Sequence, residues 1–487
     1  MLLEQENNRL HRRLQDLTRQ LARAEGKDAA SLQLEIKYLE ETLAARNRAL
    51  FGQSSEKKRG GKSTDKKKPA AAQRGHGPHQ QPELPIIEQV HELDHADQVC
   101  TACGGELTEM DGQFEECEEI DVVERSFRIV RHKRKKYRCR CGGCVETALG
   151  PLRLIPGGRY SIGFAVEVAI AKYTDHLPLA RQTRQMARQG LEVTSQTLWD
   201  QLNALAGPLR PTYDALHQEV LSNPVVGADE TTWKLLGPGK SKTWWAWSVT
   251  SSDAVYYRIA SSRSAKEAGA ILTDYGGTVV CDGYTAYSAV AKQRRREAAV
   301  RDGPPSLRLA HCWAHVRRKF FEAEPHDARA AEMLELIGRL YEVEAEANRS
   351  ESPLGHRREL RRERSYAIVD EIRRWMLGQR ALPRAVLGRA IAYTDGIWTG
   401  LTRFLDDPAI PIDNNGTERT MRGVAIGRKN HYGSRSLRGA QVAALFYSLI
   451  ESAKLVGVDP AAYLRKAAHH AIGNPGTITL PRHLLQN

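Results

Sequence analysis

The sequence predicts a multidomain α/β protein: a mixed-sheet core carrying an all-α insertion, preceded by helical and cysteine-bearing regions. Three observations predict it. The chain of 487 residues exceeds the size that one hydrophobic core usually serves. Between residues 223 and 435, β-branched runs alternate with helical periodicity in the order three strands, helix, strand, helix, strand. Within that stretch, from about 320 to 405, the pattern turns helical, charged and long.

Residues 1–50 contain no proline and read as helix. Leu3, Leu10 and Leu17 recur every seven residues, and Leu14 and Leu21 complete the alternating four-three rhythm of a coiled-coil seam. Gly26 interrupts it, and Leu32, Ile36, Leu39 and Leu43 resume in a shifted register. The seam predicts a homo-oligomer, although a hairpin folded on itself would satisfy the same pattern. Residues 51–85 are rich in Lys, Gly, Ser, Gln and Pro and have almost no core-forming side chains, the composition of a flexible basic linker.

Residues 86–150 form a cysteine module. Cys100-x-x-Cys103 is followed, after β-like runs such as Phe127-Arg-Ile-Val, by Cys139-x-Cys141-x-x-Cys144. Disulfides are not expected in a long chain that lacks a secretory leader, whereas paired thiolates at this spacing suit one structural zinc in tetrahedral geometry. Three cysteines compete for the last two positions. The Gly-Gly between Cys141 and Cys144 makes a tight knuckle and favours that pair, with Cys139 as the substitute. The favoured ligands are therefore Cys100, Cys103, Cys141 and Cys144.

Residues 151–222 read as several helices and are the expected helical DNA-binding region. A helix around Leu179–Ala187, a turn at Gly190 and a helix capped by Ser195 are arranged as a helix-turn-helix, a shape that is also common as plain structure.

The core begins after Pro224. Val225-Val-Gly-Ala-Asp229 is a short apolar run ending in an acid, and strands over Thr243–Val249 and Ala254–Ile259 follow with a Ser-Ser-Asp turn between them. A helix is expected over Ser264–Leu272. Thr278-Val-Val-Cys-Asp282 is another buried-looking strand ending in an acid, and Leu307–Cys312 a further strand. This order, opening with an antiparallel meander, suits a ribonuclease H-like core. Beyond Asp413 a helix carries Glu418. In residues 436–487 a helix spans Ala440–Val456, Gly457 stops it, and Asp459-Pro460 starts the next.

The formal net charge of +13 and a pI near 9.3 favour a polyanionic partner. The distribution says more than the total. From Arg125 to Arg140 there are nine Lys or Arg and no acid, and Lys57–Lys68 holds seven against one Asp. Such clusters release counterions from a nucleic-acid backbone, which makes Lys133, Arg134, Lys135 and Lys136 candidates for DNA contact. No apolar run approaches the roughly 18 residues of a membrane helix. The polar start has no leader-like apolar stretch, so a cytoplasmic, nucleoid-associated protein is expected.

Asp229 and Asp282 each follow an apolar strand, from which both could project into one site, and Glu418 sits on a helix among basic residues. Phosphoryl transfer by two divalent ions needs carboxylate oxygens that bridge and flank metals roughly 3.5–4 Å apart, and Mg²⁺ prefers such hard ligands. A single Asp at a strand end is more often a cap or a turn, so spacing alone leaves the triad open. Glu230 and Asp413 are rivals. Strand alternation points Glu230 away from Asp229, and Asp413 reads as a helix cap.

The stretches Gly227-Ala-Asp-Glu-Thr, Cys281-Asp-Gly-Tyr, His311-Cys-Trp-Ala-His-Val-Arg-Arg-Lys-Phe and Asp413-Asn-Asn-Gly-Thr-Glu-Arg resemble the DDE-type transposases of the insertion-sequence 66 family. So do Gly427-Arg-Lys-Asn, Ser448-Leu-Ile-Glu-Ser-Ala-Lys and Leu50-Phe-Gly-Gln-Ser-Ser-Glu-Lys, in order along nearly the whole chain. The resemblance implies that Asp229, Asp282 and Glu418 are the catalytic carboxylates and hold two Mg²⁺ or Mn²⁺ ions. It also implies a zinc-binding domain at the cysteine module. The implied reaction is cleavage and strand transfer of DNA in transposition, with terminal inverted repeats and target DNA as partners, and it leaves room for accessory proteins of the same element. The separation of the last two acids, 418 − 282 = 136 residues, is accounted for by the helical insertion.

Basic residues beside the acids are candidates to hold phosphates and to screen a pentavalent transition state. Arg419 and Arg422 share Glu418's helix, Arg428 and Lys429 follow, and Arg317, Arg318 and Lys319 follow the His311 strand. Surface ion pairing would use the same residues. His311 and His315 are candidates to position DNA, with a structural role equally open.

Overall fold

Branched apolar runs alternating with helix formers produce the expected strand order. The computed structural model describes residues 126–138, 145–237, 242–298, 307–350 and 352–485, with scattered positions between 12 and 40, all in one structural unit. The described residues within 12–20 and 33–40 are helical, and Leu17 and Leu39 are buried. Leu14 and Ile36 are half-buried, whereas Leu3, Leu10, Leu21, Leu32 and Leu43, the 51–85 linker, and Cys100, Cys103, Cys139, Cys141 and Cys144 lie outside the described residues.

At the start of the continuous chain, β1 (Lys136–Arg138) pairs antiparallel with β2 (Val145–Thr147). The Phe127-Arg-Ile-Val run is not a strand, contrary to expectation. Ile129 and Val130 are exposed, so the run has no apolar face to bury, although Phe127 meets Phe164 edge-on at 6.3 Å.

Four helices follow: α1 (Ile162–Tyr173), α2 (Leu179–Arg188), α3 (Ser195–Ala206) and α4 (Arg210–Leu221). α1 is rich in Ala and Val and is buried along most of its length. α2 buries Gln182 and Met186 and turns Arg181, Arg184 and Arg188 to solvent. Gly190 (φ +79°) makes the left-handed turn between α2 and α3. The cap of α3 is Thr194 rather than Ser195, because the Thr194 hydroxyl accepts from the Thr197 N–H at 3.1 Å.

The sheet comprises β3 (Val225–Leu235), β4 (Lys242–Thr250), β5 (Val255–Ala260), β6 (Thr278–Cys281) and β7 (Arg308–His311), in the order β5-β4-β3-β6-β7. The first three strands form an antiparallel meander; β6 and β7 add in parallel. Helix α5 (Ala265–Leu272) leads into β6, and α6 (Thr285–Ala298) makes the β6–β7 crossover. β6 is buried at every position, as a strand flanked on both edges and covered on both faces must be. One detail departs from the sequence reading. β3 does not end at Asp229 but runs six residues further, because its ladder with β4 continues to Leu235↔Lys242 and Trp233 is fully buried.

The helical insertion is present as α7 (Trp313–Ala323), α8 (Ala330–Ala347), α9 (Pro353–Leu360), α10 (Tyr366–Gly378), α11 (Val386–Gly396) and α12 (Trp398–Leu401). Trp313, Val316, Phe320, Met333, Ile337 and Leu340 belong to its apolar centre. A π-helical stretch, Arg361–Ser365, aims the fully buried Arg361 at Glu344 (2.7 Å) and at the carbonyls of Asp407 and Ile410 (3.0 Å each). A guanidinium taken out of water needs such a complete set of acceptors.

Three helices close the chain: α13 (Asn415–His431), α14 (Leu437–Leu455) and α15 (Pro460–Gly473). α14 is buried all round from Val442 to Ala453, the signature of a helix covered on several sides. Its Ser448 and Ser452 hydroxyls accept from the N–H groups of Tyr257 and Val255 at 2.8 and 2.9 Å. The open edge of the sheet at β5 is thereby satisfied by side chains instead of another strand. Gly457 (φ +72°) ends α14 and Asp459 caps α15, both as expected.

The contact that positions α13 is a close approach to β3. Asn414 at its start donates from Nδ2 to the Ala228 carbonyl at 2.9 Å and from its N–H to the Cys312 thiol at 3.2 Å. Gly227 on β3 has no side chain to hold the helix off; a Cβ there would overlap the Thr417 hydroxyl and lie 2.7 Å from the Asn414 Oδ1. Gly227→Ala should therefore destabilise the fold by about 1–3 kcal/mol, the usual cost of overpacking. Thr417→Ala in the same chain should return part of that loss. Chemical denaturation of the four members of this double-mutant cycle measures the coupling; additive effects would show that α13 does not rest on Gly227.

Candidate active site

Alternation along β3 sends Ala228 and Glu230 to one face and Asp229 to the other. Asp229 is half-buried, and its Oδ1 accepts from the Glu230 N–H at 2.8 Å. Asp282 stands immediately after β6, the parallel neighbour of β3, and its Oδ1 accepts from the Tyr284 N–H at 2.9 Å. Glu418 lies in the first turn of α13, brought to β3 by Asn414, where the helix dipole favours a negative charge.

Asp282 and Glu418 both lie near enough for their charges to act on Asp229. The Asp229 carboxyl is pushed up to about 7, chiefly by burial, then by the charge of Glu230, with Glu418 and Asp282 adding to it. Glu418 Oε1 is buried and has no hydrogen-bond partner, and His315 Nδ1, also buried and unpartnered, lies 3.7 Å from it. An acidic centre with a carboxylate oxygen left unsatisfied is one that a divalent cation would complete.

The rival acids are otherwise engaged. Glu230 is buried and accepts from Arg263 Nε at 2.8 Å and from the Tyr287 hydroxyl at 2.7 Å. Asp413 accepts from the N–H and side-chain amide of Asn415 at 3.0 and 2.6 Å, so it braces the turn into α13 while Asn414 holds the cap position. His311 is buried with Nδ1 3.9 Å from the Cys281 sulfur, its ring filling the space above Gly400, and burial lowers its pKa. A buried, neutral imidazole packed in this way is a structural residue.

The basic candidates divide into groups. Arg419, Arg422 and Lys429 are exposed on α13; Arg318 and Lys319 are exposed on α7, with Lys319 3.8 Å from Glu322, and Arg317 is half-buried. Arg428 is held instead by β3: its guanidinium donates to the Thr231 and Thr232 hydroxyls at 2.9 and 2.6 Å and to the Thr232 carbonyl. Lys133, Lys135 and Lys136 are exposed at β1, and Arg134 is exposed too but donates to the Ala148 carbonyl at 2.5 Å.

Sequence reasoning missed Asn414, Arg263 and Tyr287, which act on the acids through other groups and carry no chemical signature of their own. Cys312 was also missed. The three-residue spacing Cys312-x-x-His315 at the start of a helix was a usable signal, since it sets both side chains on one face.

Comparisons with known proteins identify the family. Residues 157–442 match the family described as transposase IS66 family, and residues 97–142 match the zinc-finger binding domain of transposase IS66. The chain is similar to three uncharacterised proteins of Sinorhizobium fredii. It is 33% identical to y4jD over 79% of this chain and 77% of that one. The figures are 32% for y4qI, over 71% and 66%, and 27% for y4hP, over 78% and 71%.

A pH test follows from the crowded acids. Folding raises the Asp229 carboxyl from 3.8 to about 7, so the folded chain holds that proton more tightly than the unfolded one. Its contribution is fully present below about pH 4 and is lost as pH rises through about 7. Without added divalent ions, the denaturation midpoint should fall between pH 5 and pH 8. Asp229→Asn should reduce that fall, and saturating Mg²⁺ should reduce it in the unaltered chain. An identical fall in the variant would show that Asp229 does not carry the effect.

Proposed function

The chain belongs to the insertion-sequence 66 family of transposases, and from that premise we propose that it cuts and joins DNA at one acidic centre built from Asp229, Asp282 and Glu418. The observation that carries the reading is the approach of these acids from β3, the end of β6 and α13, with the Asp229 carboxyl pushed up to about 7 and no cationic side chain bonded to it among the described residues. The strand order, an antiparallel meander with two parallel additions, supports a ribonuclease H-like core around it.

In this reading the carboxylates hold two Mg²⁺ or Mn²⁺ ions, which supply activation of the attacking oxygen and neutralisation of the leaving one. Asp229 and Asp282, on neighbouring parallel strands, fix the spacing of the donor oxygens, and Glu418 closes the site from the helix. Water first displaces the 3′ oxygen at a phosphodiester of the element end, leaving a 3′-hydroxyl and a 5′-phosphate. The freed hydroxyl then attacks a target phosphodiester in line, forming one bond as the other breaks. Arg419, Arg422, Lys429, Arg318 and Lys319 are assigned to phosphate contact, and Arg428 to bracing α13 against β3. One zinc belongs to the cysteine module, held by Cys100, Cys103 and two of Cys139, Cys141 and Cys144. Self-association through the leucine seam would bring two element ends together.

Asp229→Asn, Asp282→Asn and Glu418→Gln keep shape and remove the charge that binds the ions. Each should abolish both cleavage and strand transfer, a loss of at least 10³-fold, while affinity for end DNA measured without divalent ions stays constant or rises. Asp413→Asn should retain activity, because Asn can accept the same Asn415 N–H. Cutting by all three acid variants would rule the mechanism out, and a dead Asp413→Asn beside an active Glu418→Gln would move the third ligand. Strand transfer from pre-cut ends separates a transposase from a nuclease.

DNA affinity should depend on the run at β1. Replacing Lys133, Arg134, Lys135 and Lys136 with Ala should flatten the slope of log affinity against log salt by about one for each phosphate no longer neutralised. An unchanged slope would place the run away from DNA.

A further inference from the structure

Glu418 belongs to a second group of ligands besides the acids. Cys312 caps the start of α7, His315 lies in its first turn, and Glu418 lies in the first turn of α13. The Cys312 sulfur, a His315 ring nitrogen and a Glu418 carboxylate oxygen all lie within 4.8 Å of one another. The His315 Nδ1 to Glu418 Oε1 distance is 3.7 Å, too long for a hydrogen bond, and both atoms are buried without another partner. Two ligands each roughly 2.0–2.2 Å from a common ion stand about 3.4 Å apart at a tetrahedral angle, so this pair needs almost no movement to share one. The Cys312 sulfur is fixed by the Asn414 N–H at 3.2 Å, the same residue that ties α13 to β3.

We propose that Cys312, His315 and Glu418 form a site for a thiophilic divalent ion, Zn²⁺ above all, that shares Glu418 with the magnesium centre and switches phosphoryl transfer off when filled. The donor set is one sulfur, one nitrogen and one oxygen. Thiolate and imidazole select zinc-class ions, whereas Mg²⁺ takes hard oxygens, so the two ions divide the neighbourhood by chemistry. Coordination exchanges the Cys312 S–H bond for a sulfur–zinc bond, and the proton leaves to solvent. Glu418 then bonds to zinc and is lost to the acids, which leaves Asp229 and Asp282 without their third partner. This site is separate from the cysteine module, since it uses none of that module's residues.

The inhibitory consequence rests on the proposed phosphoryl transfer; the ion site itself does not. The test uses the full chain with its module zinc in place, dialysed against micromolar Zn²⁺ in excess Mg²⁺. Cys312→Ser keeps an acceptor for the Asn414 N–H, and His315→Gln alters a half-exposed side chain, so at least one variant should fold. The unaltered chain should retain one zinc per chain more than either folded variant. Its end cleavage, relative to its own zinc-free rate, should be halved at a zinc concentration at least tenfold lower than that of either variant. Equal zinc counts in the chain and the variants overturn the site, whatever the activity. An extra ion in a chain that never cleaves DNA supports the site and counts against the transposition reading. An extra ion with equal zinc sensitivity in all three proteins overturns the switch.

Discussion

Everything at the acidic centre depends on how near α13 comes to β3. Two residues on the strand and two on the helix decide that distance. Gly227 leaves a gap, the Thr417 side chain fills it, and the Asn414 amide bonds to the Ala228 carbonyl beside Asp229. The β3–β6 register ends at Gly227↔Val280, so the amide bonds to the Ala228 carbonyl just past the end of that ladder. Farther along, Arg428 repeats the device by bonding to the Thr231 and Thr232 hydroxyls. The helix is thus fastened at both ends, and Glu418 inherits a fixed position relative to the strand acids.

Holding acids together without a cation is unfavourable, and the fold limits the penalty by separating their duties. Glu230, adjacent to Asp229 in sequence, is bonded by Arg263 and Tyr287 on the opposite face. Arg263 is itself stacked on the rings of Tyr284 and Trp245, 3.8 and 5.0 Å from their centres, so its charge is committed there. On the other face, Asp229 has no bond to an arginine among the described residues. Burial and the neighbouring negative charges then raise the Asp229 carboxyl, a penalty that protonation or a bound cation would lift. Under the proposed reading, a metal ion would supply what this centre lacks in protein contacts.

Much of this was legible in the sequence, and the exceptions have physical reasons. The strand order, the helical insertion, the Gly457 stop and the Asp459 cap were readable because each rests on local chemistry or periodicity. The end of β3 was misread because the strand's continuation, Thr231 to Leu235, is mostly polar and is kept extended by its pairing with β4. The Phe127 run failed for the opposite reason, since its β-prone residues meet no sheet. Ser448 and Ser452 stood in a motif but gave no hint that they close the edge of β5, a tertiary contact nearly 200 residues away in sequence. Asp229, Asp282 and Glu418 could be named from the family motifs, and their approach to one another could not be read from spacing.

The insertion illustrates why spacing was silent. It separates Asp282 from Glu418 by 136 residues, yet its two ends are stitched together where it begins. The Trp313 N–H donates to the Ile412 carbonyl at 3.1 Å, and the Asn414 N–H to the Cys312 thiol at 3.2 Å. The Trp313 indole reaches back to the Leu401 carbonyl at 3.0 Å. With the ends fixed side by side, closing a longer loop costs little, since each doubling of length adds only about 0.6 kcal/mol. The interior can then hold its own apolar centre, around Phe320 and Ile337, without disturbing the acids. The same stitch explains why the first turn of α7 faces the first turn of α13. One hydrogen-bonded seam brings the chain back for Glu418 and delivers Cys312 and His315 to its side, so whatever the insertion does is mechanically close to the acidic centre.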